Sequence, residues 1–253
     1  MNMKINKDKS IGRVLFIVEG GKTEFSLLQK IFCNVLGYEY IAKKRDKPDF
    51  FVSKNKSTSK VAVINTEESN ISDVCDENCY LDKIFELLIT KYNFQVDKAA
   101  IYYLFDRDPK SNVDIELIKN LISTLADPYE NQRGERGGVL LLSYPSIESY
   151  IISSFTDDTH SKELALGENA KAFISSNNKI IQLNKITGDT IKKATLEMMK
   201  FFEKEKIELH LDDYYKTNMA VFDNQEECYS NTSKFKLISL LAIAFLQLGI
   251  IEL

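Results

Sequence analysis

The chain has 253 residues, of which 44% are hydrophobic and 28% charged, a balance that suits one large domain or one domain with an appendage. Its formal net charge of −4 excludes nucleic-acid binding through overall charge, so any such partner needs a local basic patch. Four cysteines without a recognisable secretory signal point to a reducing cytoplasm.

The polar MNMKINKDKS, residues 1–10, reads as a disordered lead-in. Residues 14–18 then form an almost continuous apolar run, expected as a strand buried on both faces. It ends on Glu19 and turns through Gly20 and Gly21. Beyond the turn, Phe25, Leu28, Ile31, Phe32 and Val35 recur at helical spacing. Residues 37–60 are polar and basic. Residues 61–64 are a second expected strand, 81–92 a helix, 99–105 a third strand and 113–125 a helix. The loop DPYENQRGERGG carries turn signals throughout. Residues 139–142 make a fourth strand, and 147–155 open another helix.

This alternation predicts an α/β fold whose parallel sheet has right-handed crossovers. Beyond about residue 158 the pattern predicts helices over 162–175, 190–205 and 235–247. The expected organisation is therefore an α/β domain over 11–158 and a helical C-terminal region over 159–253. Residues 236–251 are the only stretch resembling a membrane span. Ser239 and Gln247 interrupt it, and it falls short of the roughly 20 apolar residues a span requires, so no membrane association is expected. Its apolar part, 237–248, suits a core helix or a homodimer face.

Two strands end on acids. Asp106 and Asp108, two residues apart in an extended segment, point the same way, while Arg107 alternates to the other face. If this strand neighbours the one ending at Glu19, three carboxylates gather at the sheet edge where open α/β folds place ligands. Their natural counter-ion is a hard divalent cation, Mg²⁺ or Mn²⁺. Structural roles compete with this reading. Asp108 precedes Pro109 and suits a turn or helix cap, and Glu24 and Glu148 stand where a helix dipole favours acids.

Glu19-Gly20 after one apolar strand, with Asp106-Arg107-Asp108 after a later one, resembles the TOPRIM domain, and VEGGKTE with its second acid Glu24 is similar to OLD-like and RloB-like TOPRIM nucleases. The resemblance covers residues 11–158 and implies a Rossmann-like parallel sheet flanked by helices. It implies catalysis by Glu19, Glu24, Asp106 and Asp108, with one or two ions of Mg²⁺ or Mn²⁺ held by these four and, by position, Glu148. Lys22 would approach a phosphate beside the first helix's N-terminus. The implied activity is metal-dependent cleavage of DNA or RNA, tRNA included, as an anti-phage effector working with an ABC- or SMC-like ATPase. The alternative is a non-catalytic subunit that uses the same sheet to bind nucleic acid or a partner.

The candidate nucleic-acid footprint is Lys43, Lys44, Arg45, Lys47, Lys54, Lys56 and Lys60, extended by Arg133 and Arg136. Phe50 and Phe51 among them suit either base stacking or burial. Cys75 and Cys79 lack a second ligand pair for zinc, His160 and His210 are isolated, and no Walker A loop is present.

Overall fold

The computed structural model describes residues 3–41, 48–66, 71–74, 80–129 and 137–253. In chain order its strands are β1 (Lys4–Ile5), β2 (Arg13–Val18), β3 (Tyr38–Ile41), β4 (Asp49–Ser53), β5 (Lys60–Asn65), β6 (Ala99–Asp106), β7 (Ala126–Asp127), β8 (Gly138–Tyr144), β9 (Glu163–Leu164), β10 (Phe235–Lys236), β11 (Ile238–Ser239) and β12 (Ile251–Glu252). The α-helices are α1 (Thr23–Gln29), α2 (Tyr80–Tyr92), α3 (Ile115–Thr124), α4 (Glu148–Phe155), α5 (Gly167–Ser176), α6 (Gly188–Glu205), α7 (Tyr214–Thr232) and α8 (Leu241–Gln247). The fold is α/β, with a mixed central sheet, parallel at its centre and flanked by helices. The chain forms two compact units, and β6 and β8 each run from one into the other.

One unit comprises residues 8–104 and 114–140. At its centre β2 pairs in parallel with β5 on one side, from Arg13↔Lys60 to Val18↔Asn65, and with β6 on the other, from Arg13↔Ala99 to Val18↔Leu104. Val14, Leu15, Phe16 and Ile17 are fully buried, as a strand covered on both faces requires. The sheet continues antiparallel through β4 and β3. Two strands thus lie where the sequence reads as a polar, basic loop, because the surrounding lysines mask the apolar positions Tyr38, Phe50 and Phe51. All three are buried, and Phe51 stacks on Phe32 at 5.8 Å. Helix α1 continues into a π-helical turn, Lys30–Val35, and buries Leu27, Leu28, Ile31 and Phe32. Helix α3 begins at Ile115 because the Asp114 carboxylate caps it, accepting from the Leu117 N–H at 2.9 Å.

The other unit comprises residues 105–113 and 141–253 together with the N-terminal seven. The expected disordered lead-in contains a strand, for β1 pairs antiparallel with β12. Residues 235–247 are not one helix. The first half forms β10 and β11, and β11 pairs with the end of β8 (Ile238↔Tyr144). A distant strand edge supplied the backbone partners, which no local pattern announces. The second half, α8, buries Leu241 through Leu246, so this apolar stretch serves as core and not as a dimer face. Helix α7 was not expected. Its inward stripe includes Thr217, Asn218 and Gln225, whose polarity hides the helical period. Among the described residues no helix is long and apolar enough to cross a membrane.

Candidate functional site

The turn after β2 carries the first pair of predicted acids. Beyond the last register pair, Val18↔Leu104, the Glu19 N–H donates to the Leu104 carbonyl at 3.1 Å and carries the sheet one residue further. Glu19 and Glu24 are both buried. The Gly20 N–H donates to Glu24 Oε1 at 3.1 Å. A Cβ at position 20 would lie 2.9 Å and 3.0 Å from the two Glu24 carboxylate oxygens, so glycine is what lets Glu24 fold back onto the turn. Lys22 is exposed at the N-cap of α1.

In the other unit, the loop after β6 holds the second pair. Asp106 closes the strand, and its Oδ1 accepts from the Ile147 N–H at 2.8 Å, just ahead of α4. Buried Glu148 is the first residue of that helix, so Asp106 and Glu148 meet at one helix start. Asp108 Oδ1 accepts from the Lys110 N–H at 3.0 Å, and its Oδ2 from the Gly167 N–H at 2.8 Å, where α5 begins. The capping role anticipated for Asp108 is therefore present. The loop is closed by buried Asn112, whose Nδ2 donates to the Asp106 carbonyl at 2.6 Å.

Arg107 bonds elsewhere in the fold. Its Nε and Nη2 donate to the two carboxylate oxygens of Glu226 at 2.7 Å and 2.9 Å, and Nη1 donates to the Asn112 carbonyl at 2.7 Å. Sequence reasoning had no means of finding Glu226, which lies 119 residues away.

The basic residues stand elsewhere. Lys54 and Lys56 lie between β4 and β5, ahead of Lys60, which registers with Arg13 at the start of β2. Glu19 follows the opposite end of β2, roughly 16–20 Å along the strand direction. Phe50 and Phe51 are buried, so burial rather than base stacking is their role, and the Lys60 ammonium sits 4.2 Å above the Phe50 ring. Lys43, Lys44, Arg45, Lys47, Arg133, Arg136, Cys75 and Cys79 lie outside the described residues.

Among the described residues, one group of three potential metal ligands has its donor atoms within 4.8 Å of one another: Asp158, His160 and Glu197. Asp106, Asp108 and Glu148 do not draw together that closely. The Glu197 group has its own cation, for Lys200 Nζ lies 2.8 Å from Glu197 Oε1 and 3.7 Å from Asp158. Glu197 Oε2 accepts from the Thr159 N–H at 2.8 Å and sits 2.9 Å from His160 Nδ1. Burial alone would raise the Glu197 carboxyl, but its bonds to His160 and Lys200 outweigh that and hold it at about 2. This is a charge-satisfied pin between α6 and residues 158–160, and the sequence held no sign of it because its members are 37 residues apart.

The predicted acids differ in kind. Glu19, Glu24, Asp106, Asp108 and Glu148 offer only carboxylate oxygens, the donor set that hard cations such as Mg²⁺ and Mn²⁺ accept. The neighbouring arginine is committed to Glu226, so the donor chemistry fits such ions. No family model, curated protein or solved structure matches this chain.

Proposed function

We propose that the protein is a TOPRIM-type, Mg²⁺- or Mn²⁺-dependent nuclease that cleaves DNA or RNA. The observation that carries this reading is the parallel register of β2 and β6. Adjacent strands run the same way, and each ends in an acid: Glu19 directly after Val18, and Asp106 two residues beyond Leu104. Ligands of open α/β sheets bind at such carboxyl ends, and a purely scaffolding sheet has no reason to collect acids there.

In this reading the acids for one or two cations are Asp106 and Asp108, with Glu148, in one unit, and Glu19 and Glu24 in the other. Bound cations supply Lewis acidity and an activated water for in-line attack on a phosphodiester. The chain's residues orient the donors. The Ile147 N–H aims the Asp106 carboxylate, the α5 start aims Asp108, and Gly20 lets Glu24 return over its own turn. Exposed Lys22 is available to a phosphate oxygen. The wider role that suits such an enzyme is an anti-phage effector gated by an ABC- or SMC-like ATPase, acting in the cytoplasm.

The test is cleavage of labelled plasmid DNA, single-stranded DNA and total tRNA by the full chain, with Mg²⁺ or Mn²⁺ against EDTA. Metal-dependent cutting that Asp106→Ala abolishes supports the nuclease and names its substrate. A second reading, a non-catalytic binding subunit, is favoured by the backbone bonds that occupy Asp108 as a cap. It gains if the chain binds nucleic acid, cuts none of it, and takes up no divalent ion.

A further inference from the structure

Four cations stand at one end of the central sheet, within the unit of residues 8–104 and 114–140. The strand order there is β4-β5-β2-β6. Lys54 directly follows β4, Lys60 opens β5, Arg13 opens β2, and Lys98 directly precedes β6. The register brings them abreast, because Lys60 pairs with Val52 on one side and Arg13 on the other, and Arg13 pairs with Ala99. Lys54 and Lys60 are near neighbours in the sequence, whereas Arg13 and Lys98 join them only through the sheet.

Arg13 and Lys60 are opposite each other in a parallel pair and so share a face of the sheet. Like charges so placed repel. Both are half-buried, while Lys54 and Lys98 are exposed. Among the described residues none of the four makes an ion pair with a carboxylate, Asp97 beside Lys98 included. Lys60 is held by neutral groups instead: its Nζ donates to the Tyr92 carbonyl at 3.4 Å and lies 4.2 Å above the Phe50 ring. Burial, and after it the charge of Arg13, lowers the Lys60 pKa from its ordinary value. Cations kept side by side without an acid are an arrangement that an external anion relieves. The row crosses three strand spacings, about 14 Å. A nucleic-acid strand carries one phosphate per roughly 3.4 Å of helix axis, so about four phosphates face that span.

We propose that Lys98, Arg13, Lys60 and Lys54 form a docking row for the phosphate backbone of a nucleic-acid strand. The row stands at the end of β2 opposite Glu19, so it holds a strand by charge alone and needs neither the acids nor a metal. It goes beyond the nuclease reading, for it applies whether the chain cuts nucleic acid or only binds it. On a chain of net charge −4 this local row, and not overall attraction, supplies the affinity. Phosphate contacts carry no base information, so binding is expected to ignore sequence and to fall steeply with salt.

Fluorescence anisotropy of a labelled DNA single strand with the full chain, in EDTA over a series of KCl concentrations, tests this, with thermal melting of every variant beside it. Arg13→Met/Lys60→Met keeps the apolar stems and removes two charges. It should weaken binding about tenfold or more at low salt. It should also flatten the plot of log affinity against log salt by about 1.4, two contacts at about 0.7 each. Lys54→Ala/Lys98→Ala, at exposed positions, should flatten it equally, and it carries the test if the first variant has melted. Lys171→Ala/Lys179→Ala removes two exposed charges from the other unit and should leave the slope at the parent's value. An equal flattening in that control would make net charge the cause and overturns the proposal. So does an unchanged slope in either row variant that stays folded, or an absence of binding by the parent. Displacement of the strand by inorganic phosphate at matched ionic strength would mark a site for one small anion and overturns it too. Failure of the nuclease reading shows elsewhere, as no metal-dependent cutting by a chain that still binds through the row.

Discussion

At Glu197 the cations come to the carboxylate, whereas at Asp106 and Asp108 the cation is led away. Both clusters belong to the same compact unit and both mix acids with a basic side chain. Lys200 and His160 close on Glu197, whose oxygens are used up in holding residues 158–160 against α6. Arg107, adjacent to two acids, is instead drawn to Glu226 and roofed by aromatic rings. The type of residue in a cluster therefore says less than the destination of its counter-charge. A neutralised acid group works as a fastening, whereas Asp106 and Asp108 are held by backbone N–H groups at Ile147, Lys110 and Gly167.

The largest expected effect breaks the comparison at its root. Asp106→Ala should lower metal-dependent cleavage by about a thousandfold or more, the several kcal/mol that metal assistance supplies, while Asp158→Ala leaves it within about twofold. Equal losses in the two variants, measured as initial rates, would erase the distinction between the clusters. Next comes stability. Arg107→Ala leaves Glu226 beside an emptied, buried site and should cost about 3–5 kcal/mol in denaturant unfolding. Lys200→Met, at a side chain 35% exposed, should cost about 1 kcal/mol or less.

Glu197→Gln sharpens the contrast through pH. The folded carboxyl at about 2 lies below its ordinary 4.5, so its ionised form stabilises the fold above the ordinary value. That contribution, about 3 kcal/mol at neutral pH, is lost as pH falls from 4.5 toward 2. The stability gap between parent and variant should close over that interval, as thermal or urea unfolding at stepped pH would record. The smallest effect is Gly20→Ala, which forces the flexible Glu24 carboxylate aside. It should cost about 1 kcal/mol of stability or less but lower cleavage roughly tenfold; a loss of stability without loss of rate would remove Glu24 from the working set.

Much of this was legible along the chain. The β2 strand, the glycine turn and α1 follow from a run of buried apolar residues broken by Gly20 and Gly21, and β6 from the run that closes on Asp106. The β3–β4 hairpin was not legible, because Phe50 and Phe51 sit among lysines that make the segment look like a solvated loop. Helix α7 was hidden by Thr217, Asn218 and Gln225 on its buried face, and β11 by the want of any local reason to be a strand.

The sequence by itself determined the acids, their order, and the strand ends on which they stand, since apolar periodicity and glycine placement are properties of neighbouring residues. Only the tertiary structure decided that β2 and β6 are parallel neighbours, that Lys54 and Lys56 lie toward the opposite end of β5, and that Glu226 takes the charge of Arg107. Each of these is a pairing across a long stretch of chain. The hydrogen bonds and charge contacts that reward such pairings act only after distant segments have met, so no local pattern of residues can announce them.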